Sequence, residues 1–186
     1  MDPIKQLIDR VYTHNDLEHF LNDEIWELIE GVPYLLAQPS VKHQKISMEL
    51  SRQFANYLHE KKKPYKVFAA PFGVYLPNTN DKNNFIVPDL TVVCEPIEGN
   101  KYCGVPPLVI EIVHFLNDSK ELQKKYKLYR KLGIKEYWLI DPDTEIISIF
   151  ARNQNNQYEI VEFDDEERKI KVGIFEDLYI DFDLVF

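Results

Sequence analysis

The sequence predicts an α/β (α+β) fold in which a central mixed β-sheet is flanked by helices. Residues 108–113 (LVIEIV) are apolar on both faces apart from one acid, which is typical of a central strand. Apolar residues at helical spacing follow over 118–132, and a second apolar run occupies 136–141. A strand, a helix and a strand in this order indicate two parallel strands joined by a right-handed crossover.

The N-terminal part of the chain predicts helices and strands in alternation. Residues 15–22 (NDLEHFLN) predict a short capped helix, and residues 25–37 predict two strands that turn at Glu30-Gly31. A longer helix is predicted from Val41 to about His59, because apolar residues recur there at helical spacing. The KKKP segment at 61–64 ends this helix, since proline does not fit a helix interior.

The remaining predicted elements are strands. Residues 66–77 predict a pair of strands, and residues 85–94 (FIVPDLTVVC) predict one strand after a polar loop. Residues 144–152 and 157–163 predict a closing antiparallel hairpin across an Asn- and Gln-rich turn. We expect one domain that spans residues 1–186.

Composition and charge narrow the class of protein. A chain of 186 residues, 45% hydrophobic and 28% charged, is long enough for one globular domain with a core. The net charge of −9 argues against non-specific coating of nucleic acid. Residues 114–135 are the exception, since seven Lys or Arg stand there against Asp118 and Glu121 and leave a local charge of +5. This segment is either a basic patch that contacts nucleic acid or an ordinary solvated helix face.

The cysteines and the apolar segments bear on the compartment. Cys94 and Cys103 fit neither a zinc-ligand spacing nor a disulfide framework, so we expect free thiols in a reducing compartment. The N-terminus has no apolar stretch of the signal-peptide type, and no run of about 18 apolar residues occurs. We therefore expect a soluble, cytoplasmic protein.

Three acids lie inside apolar strands, where a carboxylate is costly unless a partner or a cation compensates it. They are Glu111 in LVIEIV, Asp89 in FIVPDLTVV and Glu27 in IWELI. Any one of them has a simpler explanation, such as a strand end or a backbone N–H partner. Three in one small domain favour a shared cation, because neighbouring carboxylates repel one another. Oxygen ligands without a Cys or His cluster suit Mg²⁺ or Mn²⁺.

Lys125 is out of place on the predicted helix 118–132. At about 100° per residue, the apolar face consists of Leu122, Tyr126, Leu128, Tyr129 and Leu132. Lys125 falls at the centre of this face. Either its ammonium reaches water along the side-chain stem, or the helix packs on the sheet and delivers the ammonium to the carboxylates.

His43 is a similar but weaker case. It leads the apolar face of the Val41–His59 helix. A lone histidine in such a place is more often a core group with a hydrogen-bond partner than a ligand or a base.

The segments around these residues resemble a known family. Pro88-Asp89 followed by Glu111-Ile112-Val113 resembles the motif of PD-(D/E)XK nucleases. Over roughly residues 13–150, the chain resembles the Uma-type restriction endonuclease family of that superfamily. The matching segments, in this order, are IWELIEGVPYLL, PSVKHQKI, VPDLTVV, PPLVIEIV and KKYKLYRKLGIKEYWLIDP. The resemblance implies a restriction-endonuclease-like core, with the active site at one edge of a central mixed sheet.

The resemblance also implies roles for individual residues. Asp89 and Glu111 correspond to the metal-binding acids. Val113 stands where the motif usually has a catalytic lysine. The family pattern Lys-x-x-x-Tyr-x-x-x-Gly implies that Lys125 on the following helix replaces that lysine.

Two further residues match family positions. Glu27 matches the acid before the first hairpin turn, where it completes the ligand set or holds water molecules near the metal. His43 matches the histidine of the Pro-Ser-x-x-His stretch, as a phosphate contact or an auxiliary acid–base group. The chain departs from the family at 114–117, where HFLN replaces the common Ser-Pro-Ser beside the implied site.

The resemblance thus implies an endonuclease that hydrolyses phosphodiester bonds of DNA with Mg²⁺ or Mn²⁺. We also expect a homodimer, by analogy with nucleases that cut both strands and from apolar residues in the terminal segments. Two alternatives stay open: a nuclease-fold binding or regulatory module that does not cleave, and a metal-dependent hydrolase of another phosphate ester. The acidity of the chain and the HFLN segment favour the binding module, whereas the complete set of Asp89, Glu111 and Lys125 favours the nuclease.

Overall fold

The computed structural model describes residues 10–19, 24–76, 83–94, 97, 102–113, 119–161 and 168–186. Its helices are α1 (Val41–Glu60) and α2 (Ser119–Leu132), and a 3-10 turn (Asp16–His19) precedes the first strand. The strands are β1 (Trp26–Ile29), β2 (Val32–Leu35), β3 (Tyr65–Ala69), β4 (Val74–Tyr75), β5 (Phe85–Ile86), β6 (Leu90–Cys94), β7 (Tyr102–Cys103), β8 (Leu108–Ile112), β9 (Glu136–Ile140), β10 (Ile147–Arg152), β11 (Tyr158–Ile160), β12 (Lys169–Lys171) and β13 (Tyr179–Asp181).

The described strands form two larger sheets and a C-terminal hairpin. The six-stranded sheet has the order β11-β10-β9-β8-β6-β3, the five-stranded sheet has the order β2-β1-β5-β4-β7, and β12 pairs with β13. In the six-stranded sheet β8 and β9 are parallel, whereas the other neighbours are antiparallel. The predictions of a mixed sheet and of a strand–helix–strand unit with parallel strands are therefore confirmed.

Alternate residues of β8 face opposite sides of the six-stranded sheet. Ile110 belongs to the same hydrophobic core as Phe54 of α1, whereas Val109 belongs to a second core with Leu128 of α2. The two helices thus cover opposite faces of the sheet. Glu111 follows Val109 by two residues and shares its face, so the acid points toward the side that α2 covers.

The predicted first hairpin and first long helix are both confirmed. β1 and β2 pair antiparallel, and the turn at Glu30-Gly31 has positive φ values of 52° and 76°. α1 begins after Ser40, whose Oγ accepts a hydrogen bond from the backbone N–H of His43 at 3.2 Å. This cap fixes the first turn of α1.

Two strand predictions are wrong. The two strands predicted within 66–77 do not pair with one another, because β3 joins the six-stranded sheet and β4 joins the five-stranded sheet; residue 77 lies outside the described residues. Residues 85–94 form two strands, β5 and β6, which belong to different sheets. Pro88 lies where the chain crosses between the sheets, and its missing N–H excludes it from the interior of a continuous strand. Asp89 lies in the same crossing.

The predicted helix at 15–22 is also corrected. Its described part, Asp16–His19, is a 3-10 turn. The carboxylate of Asp16 accepts hydrogen bonds from the backbone N–H and the hydroxyl of Thr13, which fixes the chain before the turn. Residues 20–22 lie outside the described residues.

The closing hairpin is confirmed, since β10 and β11 pair antiparallel. Residues 162 and 163 of that prediction lie outside the described residues. None of the helices in the described ranges has the length and apolar character needed to cross a membrane.

Candidate functional site

Asp89 lies opposite Glu111 at one end of the six-stranded sheet. β6 and β8 run antiparallel with Leu90 opposite Ile110, so the next pair outward is Asp89 and Glu111. Oδ2 of Asp89 accepts a hydrogen bond from the backbone N–H of Ile112 at 2.7 Å. This bond ties the carboxylate of one strand end to the backbone of the neighbouring strand.

His43 contacts the other oxygen of Asp89. Its Nε2 lies 3.0 Å from Asp89 Oδ1. Nδ1 of His43 is buried and has no hydrogen-bond partner among the described residues. His43 therefore meets an acid at the head of α1 rather than packing only against apolar side chains.

The ammonium of Lys125 lies among three carboxylates. Its Nζ is 2.7 Å from Glu27 Oε1, 3.2 Å from Glu111 Oε1 and 3.4 Å from Glu121 Oε1. Lys125 is 4% exposed and Glu27 is 0% exposed. The side chain thus turns inward rather than reaching water along its stem, and α2 places the ammonium against acids from β1 and β8.

Glu111 bridges this ammonium and a tyrosine. Its Oε1 also accepts a hydrogen bond from the hydroxyl of Tyr129 at 3.0 Å, one helical turn after Lys125 on α2. Oε2 of Glu27 accepts a hydrogen bond from the backbone N–H of Val87 at 3.3 Å. One helix therefore supplies both the cation and the hydroxyl that orient Glu111.

Burial and mutual charge shift the pKa values in this cluster. Burial raises the pKa of Glu111 above its ordinary value, while Lys125 opposes the shift and Asp89 and Glu27 add to it. Burial acts to lower the pKa of Lys125, but the carboxylates of Glu111, Glu27 and Glu121 outweigh it and raise that pKa well above its ordinary value. Burial also raises the pKa of Glu121. Lys125 is therefore cationic at neutral pH.

These side chains border a cleft with a volume of about 620 Å³, which falls in the range of small-molecule sites. The face of α1 along one side contributes Ser40, His43, Gln44, Ser47, Met48 and Ser51. The charged side chains along the cleft are Asp89, Glu111, Glu121 and Lys125. Glu27 contacts Lys125 on the side away from the cleft and is not among the described residues that line the cleft.

The donor set suits a hard cation that keeps part of its water shell. Within the described ranges, no three or more His, Cys, Asp or Glu side chains are grouped so as to hold a metal ion. Asp89 and Glu111 both line the cleft, and they are close enough for the charge of Asp89 to act on the pKa of Glu111. Mg²⁺ is commonly held by one or two carboxylates, with water and substrate phosphate in the other positions. Two carboxylates therefore fit Mg²⁺ or Mn²⁺ better than a zinc site closed by protein ligands.

A family comparison agrees with this geometry. The model of the Uma2 family, described as "Putative restriction endonuclease", matches residues 12–183. The chain belongs to the Uma2 family. The family predicted from the sequence is thereby confirmed, and with it the class of enzyme to which the family description refers.

Two relatives extend the comparison of this Uma2 family member. It is 23% identical over 145 residues to the uncharacterized protein slr1290 of Synechocystis sp. (strain ATCC 27184 / PCC 6803 / Kazusa), an alignment that covers 76% of this chain and 74% of that protein. A crystal structure from Anabaena variabilis ATCC 29413, titled as "a putative nuclease belonging to DUF820", aligns with a TM-score of 0.72 at 22% identity. The alignment covers 94% of this chain and 99% of that one. The second likeness shows that the two chains share a fold.

Glu121 is the cluster residue of this Uma2 protein that the sequence interpretation missed. It lies one helical turn before Lys125, on the same side of α2. Its position one helical turn before the lysine on the apolar face was the available signal, but an acid four residues before a lysine is also an ordinary surface pair on a helix. The HFLN segment at 114–117 lies outside the described residues.

Apart from the buried Lys125, the basic residues of α2 divide into two groups. Lys124 donates a hydrogen bond to the hydroxyl of Tyr34 at 2.7 Å and is half-buried. The exposed residues are Lys120, Lys127, Arg130 and Lys131. The Uma2 protein thus has a solvated basic face on the helix that carries Lys125.

Proposed function

We propose that this Uma2 family member is an endonuclease that hydrolyses phosphodiester bonds of DNA with Mg²⁺ or Mn²⁺. The observation that supports this most directly is the cleft in which Asp89 and Glu111 meet a buried lysine that remains charged. Membership of a family described as restriction endonucleases supports a nucleic-acid substrate. We propose further that this nucleic acid is DNA and that a metal ion takes part in the reaction.

The proposed metal ligands are Asp89 and Glu111, with the backbone carbonyl of Ile112 as a further candidate. When bound, the metal supplies Lewis-acid activation of a water molecule and offsets negative charge on the transition state. Asp89 is oriented in advance, because the N–H of Ile112 and the ring of His43 hold its two oxygens. Glu111 is oriented through Oε1 by Tyr129 and by Lys125.

Lys125 is proposed to stabilise the negative charge that develops on the phosphate, or to orient the attacking water. It suits this role because the surrounding carboxylates keep it protonated at neutral pH. Glu27 is fully buried and lies behind the ammonium. We therefore assign Glu27 to anchoring Lys125 rather than to the metal itself.

His43 is proposed to orient Asp89 from the head of α1. The side chain lines the cleft, so it is also placed to contact a phosphate of the substrate. The exposed residues Lys127, Arg130 and Lys131 extend the same helix that carries Lys125, and we propose that they contact the DNA backbone.

We also propose that the protein acts as a homodimer. A twofold dimer presents one active site to each strand of a duplex, and twofold dimers are the commonest symmetric assemblies. Sedimentation equilibrium is expected to give twice the chain mass of 22.1 kDa. A monomer at the concentrations used for cleavage would contradict this proposal.

The proposed activity is tested by cleavage of supercoiled plasmid and of single-stranded DNA in Mg²⁺, Mn²⁺ or EDTA. Asp89→Asn and Glu111→Gln remove one proposed ligand charge each with little change in shape. Glu60→Gln, an exposed position at the end of α1, is the matched control.

We expect metal-dependent cleavage by the wild type and by the control, and its loss in both ligand variants. Cleavage that persists in EDTA, or equally in Asp89→Asn, contradicts the proposal. A folded wild type that cuts neither substrate also contradicts it, and would favour the binding module.

A further inference from the structure

Glu121 is the most exposed of the three acids around Lys125. Its side chain is 21% exposed, whereas those of Glu27 and Glu111 are 0% and 5% exposed. Glu121 also lines the cleft. The three carboxylates thus contact the ammonium at different depths below the protein surface, and Glu121 is the one nearest to solvent.

The two less exposed acids, Glu27 and Glu111, hold the ammonium from its buried side. The shortest contact of Lys125 Nζ is with Glu27, at 2.7 Å. Oε1 of Glu111 is shared between Lys125 and the hydroxyl of Tyr129. An ammonium has three N–H donors, so an acceptor on the cleft side can attract one of them toward the cleft.

We propose that Glu121 is a positioning residue that holds the Lys125 ammonium at the cleft, within reach of a substrate phosphate. This inference rests on the proposed nuclease function and adds to it a residue that acts through Lys125. If a cation bound Glu111, the attraction of that acid for Lys125 would be weaker, and Glu27 and Glu121 would remain as partners of the ammonium.

The Glu121–Lys125 contact differs from a pair on a helix surface. In a surface pair both groups are solvated, and the pair contributes little. Lys125 is 4% exposed, and Glu121 is itself sufficiently buried to raise its pKa. The α2 backbone fixes the separation of the two residues at one helical turn, with the acid on the N-terminal side, which is the favourable order.

The first test observes the Lys125 ammonium in metal-free protein. The group is followed by NMR on protein with ¹⁵N-labelled lysine, and the signal is assigned by its absence in Lys125→Arg. Glu121→Gln keeps the size of the side chain and one acceptor oxygen but removes the charge. Glu60→Gln is the charge-matched control, and Glu121→Asp keeps the charge on a shorter side chain.

In Glu121→Gln, we expect exchange of the Lys125 ammonium protons with water to accelerate about threefold or more. The control is expected to match the wild type, and Glu121→Asp to be intermediate. Unchanged exchange in a folded Glu121→Gln protein overturns the proposal. Should Glu121→Gln not fold, wild-type exchange in Glu121→Asp overturns it instead.

The second test is steady-state cleavage, which separates this inference from the proposed function. In Glu121→Gln, kcat is expected to fall about 10-fold or more, while KM changes less than about threefold because the residue acts through Lys125. An unchanged kcat overturns the proposal. A wild type without any cleavage contradicts the proposed function alone, and the exchange measurement then still decides the role of Glu121.

Discussion

Lys125 of α2 and Glu27 of β1 form a buried ion pair, with Nζ and Oε1 2.7 Å apart. β1 belongs to the five-stranded sheet, whereas α2 follows β8 of the six-stranded sheet. The pair therefore connects both sheets through one helix. A buried charge is stable only when it is paired, so the position of α2 depends on acids from both sheets.

Removal of the lysine charge is expected to destabilise the fold. Lys125→Met leaves Glu27 and Glu111 buried without a cation, and we expect the free energy of unfolding to fall by about 3–5 kcal/mol. Urea denaturation measures this change. Lys171→Met, at an exposed position of β12, is the control and is expected to change stability by less than about 0.5 kcal/mol. Equal stability of the two variants would contradict a structural role for the ion pair.

Glu136 is expected to make stability depend on pH. It is 2% exposed and accepts hydrogen bonds from the indole of Trp138 at 2.8 Å and from the backbone N–H groups of Gly173 and Ile174 at 3.1 and 3.0 Å. Burial raises its pKa above the ordinary value of 4.5, and these hydrogen bonds oppose the shift only in part. Folding thus favours the protonated form. This contribution to stability is complete below pH 4.5 and is lost as the pH rises through the raised pKa.

The measurement is the free energy of unfolding at about pH 4.5 and about pH 7, in the wild type and in Glu136→Gln. The wild type is expected to lose more of its free energy of unfolding than the variant over this interval. Glu60→Gln is expected to behave as the wild type. The same pH dependence in wild type and Glu136→Gln would show that Glu136 does not titrate in this interval.

His43 is expected to influence metal affinity through Asp89. His43→Ala leaves Oδ1 of Asp89 without its 3.0 Å contact, and we expect Mn²⁺ to bind about 10-fold more weakly. Isothermal titration calorimetry measures the affinity. His59→Ala, at an exposed position near the end of α1, is the matched control. Equal Mn²⁺ affinity in both variants would contradict the proposed role of His43 in orienting Asp89.

The exposed lysines of α2 are expected to determine part of the salt dependence of DNA binding. The variants are made in Asp89→Asn protein, in which we expect no cleavage. There, Lys127→Gln combined with Lys131→Gln is expected to reduce the slope of the logarithm of the DNA association constant against the logarithm of the salt concentration by about 0.9 for each lost phosphate contact. Fluorescence anisotropy of a labelled duplex measures the slope. The control pair is Lys169→Gln with Lys171→Gln on β12. An unchanged slope would mean that this face of α2 is only a solvated surface.

The sequence was most informative where charge interrupts an apolar pattern. Asp89, Glu111 and Glu27 stood out because each interrupts an apolar segment of the sequence, and Lys125 stood out because it falls on the apolar face of a helix. The structure places these four residues at or directly behind one cleft. Their catalytic and metal-binding roles stay predictions.

Other features left no comparable signal. Glu121 has the spacing of an ordinary surface pair with Lys125, and its burial depends on how α2 packs. Residues 85–94 are apolar on both sides of Pro88, so the pattern did not reveal that β5 and β6 belong to different sheets. β4, β5 and β7 are each two residues long, which is too short for a period to be recognised.

The most direct test of the metal site is anomalous diffraction from crystals soaked in Mn²⁺. An anomalous peak is expected between the carboxylates of Asp89 and Glu111, and it should be absent from crystals of Asp89→Asn. A peak elsewhere, or no peak at these two residues at saturating Mn²⁺, would contradict a metal-dependent nuclease site in this cleft.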